Sequence, residues 1–120
     1  MTKVIYCLRR REGLSREQFQ SYWLDHHGSL VKRLAAATGM VRYVQNHTVA
    51  SRLGDSLTEA RGAAEPYDGV MEGWWDNAQT PDSTRRAEAR EAALALLEDE
   101  AHFIDLEHSS IFVVEEREIY

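Results

Sequence analysis

The chain has 120 residues, 43% of them hydrophobic and 28% charged, with a formal net charge of −6 at pH 7. That length and balance describe a single domain over 1–120 with enough apolar side chains for its own core. The acidic surplus disfavours nucleic acid and anionic membranes as partners, the single Cys7 excludes an internal disulfide or Cys-based zinc site, and no apolar run can cross a bilayer.

The first residues, Met1 to Cys7, lack the apolar core of a signal peptide, so a cytoplasmic protein is expected. Val4 to Leu8 are five consecutive apolar residues and predict a strand buried on both faces. Ser15, with Gln18 three residues on, is a capping box that opens a helix. On a helical wheel Phe19, Tyr22, Trp23, His26, Leu30, Leu34 and Ala37 form its buried stripe, with His27 on the flank. Gly39 ends the helix. Gly28 inside it predicts a mid-helix break or the close approach of a neighbouring group.

Met40 to Val49 reads as a second strand, with Tyr43, Gln45 and His47 on one face and Arg42, Val44 and Asn46 on the other. The long connection 51–66 holds a short helix, capped by Asp55 and closed at Gly62. Tyr67 to Asp76 is the third strand; Gly69, Met71, Gly73 and Trp75 share one face, Asp68, Val70, Glu72 and Trp74 the other. Thr80 caps a second long helix with Pro81 at its first position. Ala87, Ala93, Leu94, Leu97, Ala101 and Ile104 form its core stripe, and the charged run from Arg85 to Glu100 reads as its solvated face. Ile111 to Val114 is the apolar heart of a fourth strand.

The order βαββαβ is the ferredoxin-like α+β plan, an antiparallel sheet with both helices on one face. Strands one and four are apolar on both sides, so the uncovered face predicts a two-fold homodimer made by packing sheet on sheet.

Several segments carry a family pattern. Arg9-Arg10 precedes Gly13-Leu14-Ser15, followed by Glu17, Phe19 and Tyr22-Trp23. His27-Gly28-Ser29-Leu30-Val31 comes next, then Arg42-Tyr43-Val44-Gln45-Asn46-His47 and Tyr67-Asp68-Gly69-Val70. The run from Asp99 to Asp105 leads into Ser109-Ser110-Ile111-Phe112. In this order the chain resembles the EthD family of the dimeric α+β barrel superfamily, with Ser29 where the family commonly has Pro. The resemblance implies a dimeric barrel holding a hydrophobic ligand between sheet and helices. Its relatives include cofactor-independent quinone-forming oxygenases, polyketide cyclases, lactone isomerases and haem-degrading enzymes, so the fold does not select one activity.

His27 is the candidate catalytic residue, because imidazole gives and takes protons near neutral pH and the family pattern favours it over His26. A histidine hydrogen-bonded to backbone at a helix break is the structural alternative. His26 is expected in the packed stripe or at a binding surface. Trp23 either walls a binding pocket or packs in the core. Trp74 and Trp75 face opposite ways, so one of them at most lines the same pocket, and Trp74 is the one expected there. The glycines 69 and 73 leave space for a ligand or for a partner sheet. Tyr43 and Asn46 are polar candidates for ligand contact, Asn46 through its amide. Glu72 is a base if buried, or half of an ion pair with a neighbouring strand. No spacing of the five histidines matches a zinc motif and no phosphate loop is present, so neither metal nor cofactor is expected. The reading is a small homodimeric enzyme acting on a hydrophobic, oxygenated or aromatic molecule. A cofactor-independent oxidoreductase with His27 in proton transfer leads, ahead of an acid–base cyclase, isomerase or dehydratase and of a non-catalytic ligand-binding protein.

Overall fold

The computed structural model describes residues 1–76 and 83–120. The capping and start of the second long helix at Thr80 and Pro81 lie outside them. Four strands, β1 (Thr2–Leu8), β2 (Met40–His47), β3 (Gly69–Trp75) and β4 (Ser110–Val114), form one antiparallel sheet in the order β2-β3-β1-β4. This is the expected ferredoxin-like arrangement, with the two apolar strands β1 and β4 paired and β1 central.

The first helical segment starts as predicted. Ser15 accepts from the Gln18 backbone while the Gln18 side chain accepts from the Ser15 backbone. It then runs as α1 (Arg16–Ser21), a π-helical turn (Tyr22–His27) and α2 (Gly28–Thr38). The Gly28 N–H bonds to the carbonyl of Trp23, five residues back, which is the π signature. Gly39 closes the segment in the left-handed conformation.

The connection after β2 holds α3 (Arg52–Arg61), capped by the Ser51 hydroxyl rather than Asp55 and closed at Gly62. Asp55 sits in its first turn, and α3 buries no residue. Helix α4 (Ser83–Glu100) follows β3. Within the helix its predicted stripe is out of phase, with Ala92 and Asp99 buried and Leu94 and Leu97 about half exposed, whereas Ile104 beyond its end is buried as expected. After α4, Arg10 bridges to Ile104 and the Arg11 N–H bonds to the Phe103 carbonyl, tying the chain beyond α4 to the end of β1.

Alternation along the strands sorts the side chains. Tyr6, Leu8 and Met71 face the helices and join Phe19, Trp23, Phe103 and Ile104 in the core. Ile5, Cys7, Val70 and Phe112 lie on the opposite, uncovered face, in register with one another across β3, β1 and β4. At the end of the sheet Asp68 is buried and accepts from the Arg10 backbone (2.8 Å), the Arg10 guanidinium (2.6 Å) and Arg16 (3.1 Å). This joint between β1, α1 and β3 has no counterpart in the sequence reading, which placed Asp68 only on a strand face.

Candidate active site

An α-helix turns about 100° per residue, so two adjacent histidines diverge. The extra residue in the π turn shifts the buried face onto every fourth position: Phe19, Trp23, His27 and Val31. His27 is 5% exposed, whereas the His26 side chain is 61% exposed. The expectation for His26 in the packed stripe is therefore corrected, because a regular helical wheel cannot represent a π turn.

Both imidazoles meet one carboxylate. Asp99, in the last turn of α4 and itself buried, lies 2.8 Å from His27 Nδ1 through Oδ2 and accepts from the Tyr22 hydroxyl at 2.5 Å through Oδ1. His26 Nδ1 lies 3.3 Å from one Asp99 oxygen and 3.4 Å from the other, and its ring stacks on Tyr22 at 4.6 Å. Burial lowers the pKa of His27 and outweighs the opposing pull of Asp99, so the ring is neutral near pH 7. Burial pushes the Asp99 carboxyl up, but the hydrogen bonds from Tyr22 and His27 win and hold it below its ordinary value. Asp99 stays ionised, and His27 donates Nδ1–H to it. The Tyr22 phenol is pushed up to about 12, by burial first and Asp99 second.

With Nδ1 engaged, Nε2 is the nitrogen left for the cavity that His27 lines. That cavity, about 310 Å³, lies between sheet and helices, and its apolar walls include Leu8, Trp23, Met71, Trp75 and Leu96. Further polar side chains on its lining, among the described residues, are Tyr6, Thr38, Tyr43 and Glu100. Glu100 is hydrogen-bonded to Tyr6; burial, helped by the charge of Asp99, raises its pKa against that bond. The Tyr43 hydroxyl accepts from the Gln45 amide at 2.9 Å, and burial raises it to about 12. A neutral base and a carboxyl whose pKa burial raises thus share one apolar chamber, an arrangement suited to moving a proton between two atoms of one ligand.

The EthD domain model matches residues 11–107. The chain belongs to the EthD family. Among curated proteins no sequence matches it significantly. The crystal structure of the Arabidopsis thaliana protein At3g17210 is similar to it with a TM-score of 0.58 at 11% identity, covering 100% of this chain and 99% of that one. At that identity the likeness shows the fold.

In this EthD chain the residues singled out in the sequence separate onto two faces of the sheet. His27, Trp23 and Tyr43 line the cavity. Trp75, not Trp74, is the strand tryptophan that reaches it. Trp74 lies on the uncovered face between the cations of Lys3 (4.7 Å) and Arg42 (4.5 Å), because successive strand residues point oppositely. Glu72 pairs with Lys3 at 2.8 Å and accepts from the Asn46 amide at 3.0 Å, so both belong to that face too. The space beside Gly69 and Gly73 admits neither ligand nor partner sheet: the Trp23 ring fills the first and the Trp75 ring the second. Gly28 shows both predicted features, since the π turn ends there and the Gln45 amide passes over it to bond the Trp23 carbonyl at 2.9 Å.

In the sequence Asp99 and Glu100 belong to a charged run that reads as a solvated face. One signal was available: Asp99 and Glu100 stand four residues before the buried Phe103 and Ile104, on the helical spacing of a shared face.

Proposed function

We propose that the protein is a proton-transfer enzyme acting on a small apolar molecule that carries a carbonyl or hydroxyl group. The observation that carries this reading is the Asp99–His27 pair set against Glu100 in one apolar cavity. His27 Nε2 removes a proton from the ligand, and Asp99 stabilises the imidazolium that forms. Glu100, whose pKa burial raises, lines the same chamber and, when protonated, gives a proton to the ligand oxygen as negative charge develops there. Trp23, Trp75 and Met71 hold the apolar body of the ligand.

A proton taken at one atom and returned at another is an isomerisation or an acid–base cyclisation. Oxygen-dependent oxidation shares the first step, removal of a substrate proton, but needs no second proton-transfer group on the cavity. The isomerase or cyclase reading is therefore preferred to the oxidoreductase one. A homodimer formed through the uncovered sheet face completes the proposal, with Ile5, Val70 and Phe112 as its apolar centre.

The test needs no natural substrate. Aryl ketones and 1,3-diketones in D₂O report proton abstraction as loss of their α-proton NMR signals. The protein is expected to accelerate that loss, and His27→Ala to reduce the acceleration by about 10²–10⁴-fold while retaining the fold. Equal exchange in the two proteins would overturn the assignment of His27. Binding of these ketones without accelerated exchange would favour the ligand-binding protein instead.

A further inference from the structure

On a regular helix two neighbouring histidines could not share a partner. Here the π turn brings Nδ1 of both within reach of Asp99: His27 at 2.8 Å inside, His26 at 3.3 and 3.4 Å outside. The carboxylate is held in place by the Tyr22 hydroxyl, and Tyr22 also stacks on the His26 ring. Phe103 packs against His27 at 5.1 Å and Tyr22 at 5.0 Å, backing the cluster with aromatic rings. The result is a line of three groups running from a buried imidazole to a largely exposed one.

We infer that Asp99 and His26 form the route by which buried His27 exchanges its Nδ1 proton with water. As a catalytic device this rests on the proton-transfer role proposed for His27. A ligand filling the cavity shuts water away from Nε2, so any proton traded with solvent during turnover leaves by the other nitrogen. The balance is simple. His27 gains a proton at Nε2 and gives its Nδ1 proton to Asp99. The carboxyl passes a proton to Nδ1 of a His26 that holds its own proton on Nε2, and His26 releases that Nε2 proton to water, so that each ring ends in its other tautomer. One proton enters at His27 and one leaves at His26, with no change in the charge of Asp99. His26 touches no ligand in this scheme and acts through Asp99; it is a relay residue rather than a catalytic one.

Exchange of the His27 Nδ1–H with water can be followed directly by NMR saturation transfer in protein labelled with ¹⁵N-histidine. His26→Gln keeps a hydrogen-bonding amide beside Asp99 but cannot accept and release a proton in turn. It is expected to slow the exchange by more than about tenfold, and added imidazole to restore it. His26→Asn, a second change at the same exposed position, should behave alike. Unchanged exchange in both variants would overturn the relay, since water would then reach Asp99 without His26. Slowed exchange that imidazole does not restore would also overturn it, by exposing a merely structural effect. The ketone assay on His27→Ala tests the catalytic proposal separately, so either idea can fail alone.

Discussion

His27 and Asp99 make a pair whose two members respond to acid in the same direction. Burial lowers His27 below its ordinary value, so the unfolded chain binds that proton first. The stability it contributes is complete above about pH 6.5 and is lost as pH falls from there through the folded value. His47, also lowered by burial, adds to this loss. Asp99 and Asp68 are both held below the usual aspartate value, so their contribution is complete above about pH 4 and is lost below it. His108, raised by Asp105, works in the opposite sense but is too exposed to matter much. The melting temperature is therefore expected to fall between about pH 7 and about pH 5, and again below about pH 4. In His27→Gln the first decline should shrink to the part due to His47. Melting curves across pH decide this; identical declines would mean His27 is not buried neutral.

Within the elements, the π turn and β3 depend on one another. The turn sends Trp23 inward, and only a strand position without a side chain leaves room for its ring. At Gly69 a Cβ would collide with two atoms of the Trp23 six-membered ring and lie 3.1 Å from the Asn46 carbonyl oxygen. Neither can yield easily: Trp23 is 1% exposed, stacks on His47 at 4.6 Å and sits 5.7 Å from Phe19. Gly69→Ala is expected to cost about 1–3 kcal/mol by overpacking. Urea unfolding measures it, and a neutral substitution would show that Trp23 moves freely. The helical stripe read from the sequence has the right length and start but the wrong phase after Trp23. A wheel assumes 3.6 residues per turn, and one extra residue rotates all that follows. In α4 the phase error has another cause. Asp99 and Glu100 turn inward because partners on other elements, Tyr22, His27 and Tyr6, satisfy them.

At the scale of the molecule, one face of the sheet is covered and the other is not. The uncovered face carries Ile5, Cys7, Val44, Val70 and Phe112 around the Trp74, Lys3 and Glu72 group. Phe112 is 45% exposed on it. A surface so apolar supports the proposed association with a second copy of the chain, driven by apolar burial. Light scattering at micromolar concentration is expected to give about twice the chain mass. Phe112→Asp, which places a charge at the centre of that face, should yield a folded monomer. A wild-type monomer would sink the dimer.

The sequence by itself determined the element order, the antiparallel α+β plan, the capping box at Ser15, the stops at Gly39 and Gly62 and the candidacy of His27. All of these are local: a periodicity, a cap, a turn residue or a short pattern written in neighbouring positions. Only the tertiary structure decided that His26 faces out and His27 in, that Trp75 rather than Trp74 reaches the cavity, that Glu100 lines it and that Asp99 backs His27. Those outcomes depend on groups far apart in sequence. Asp99 lies 72 residues beyond the His27 it orients. A buried carboxylate is stable only where such distant donors converge on it, and no local pattern records that convergence.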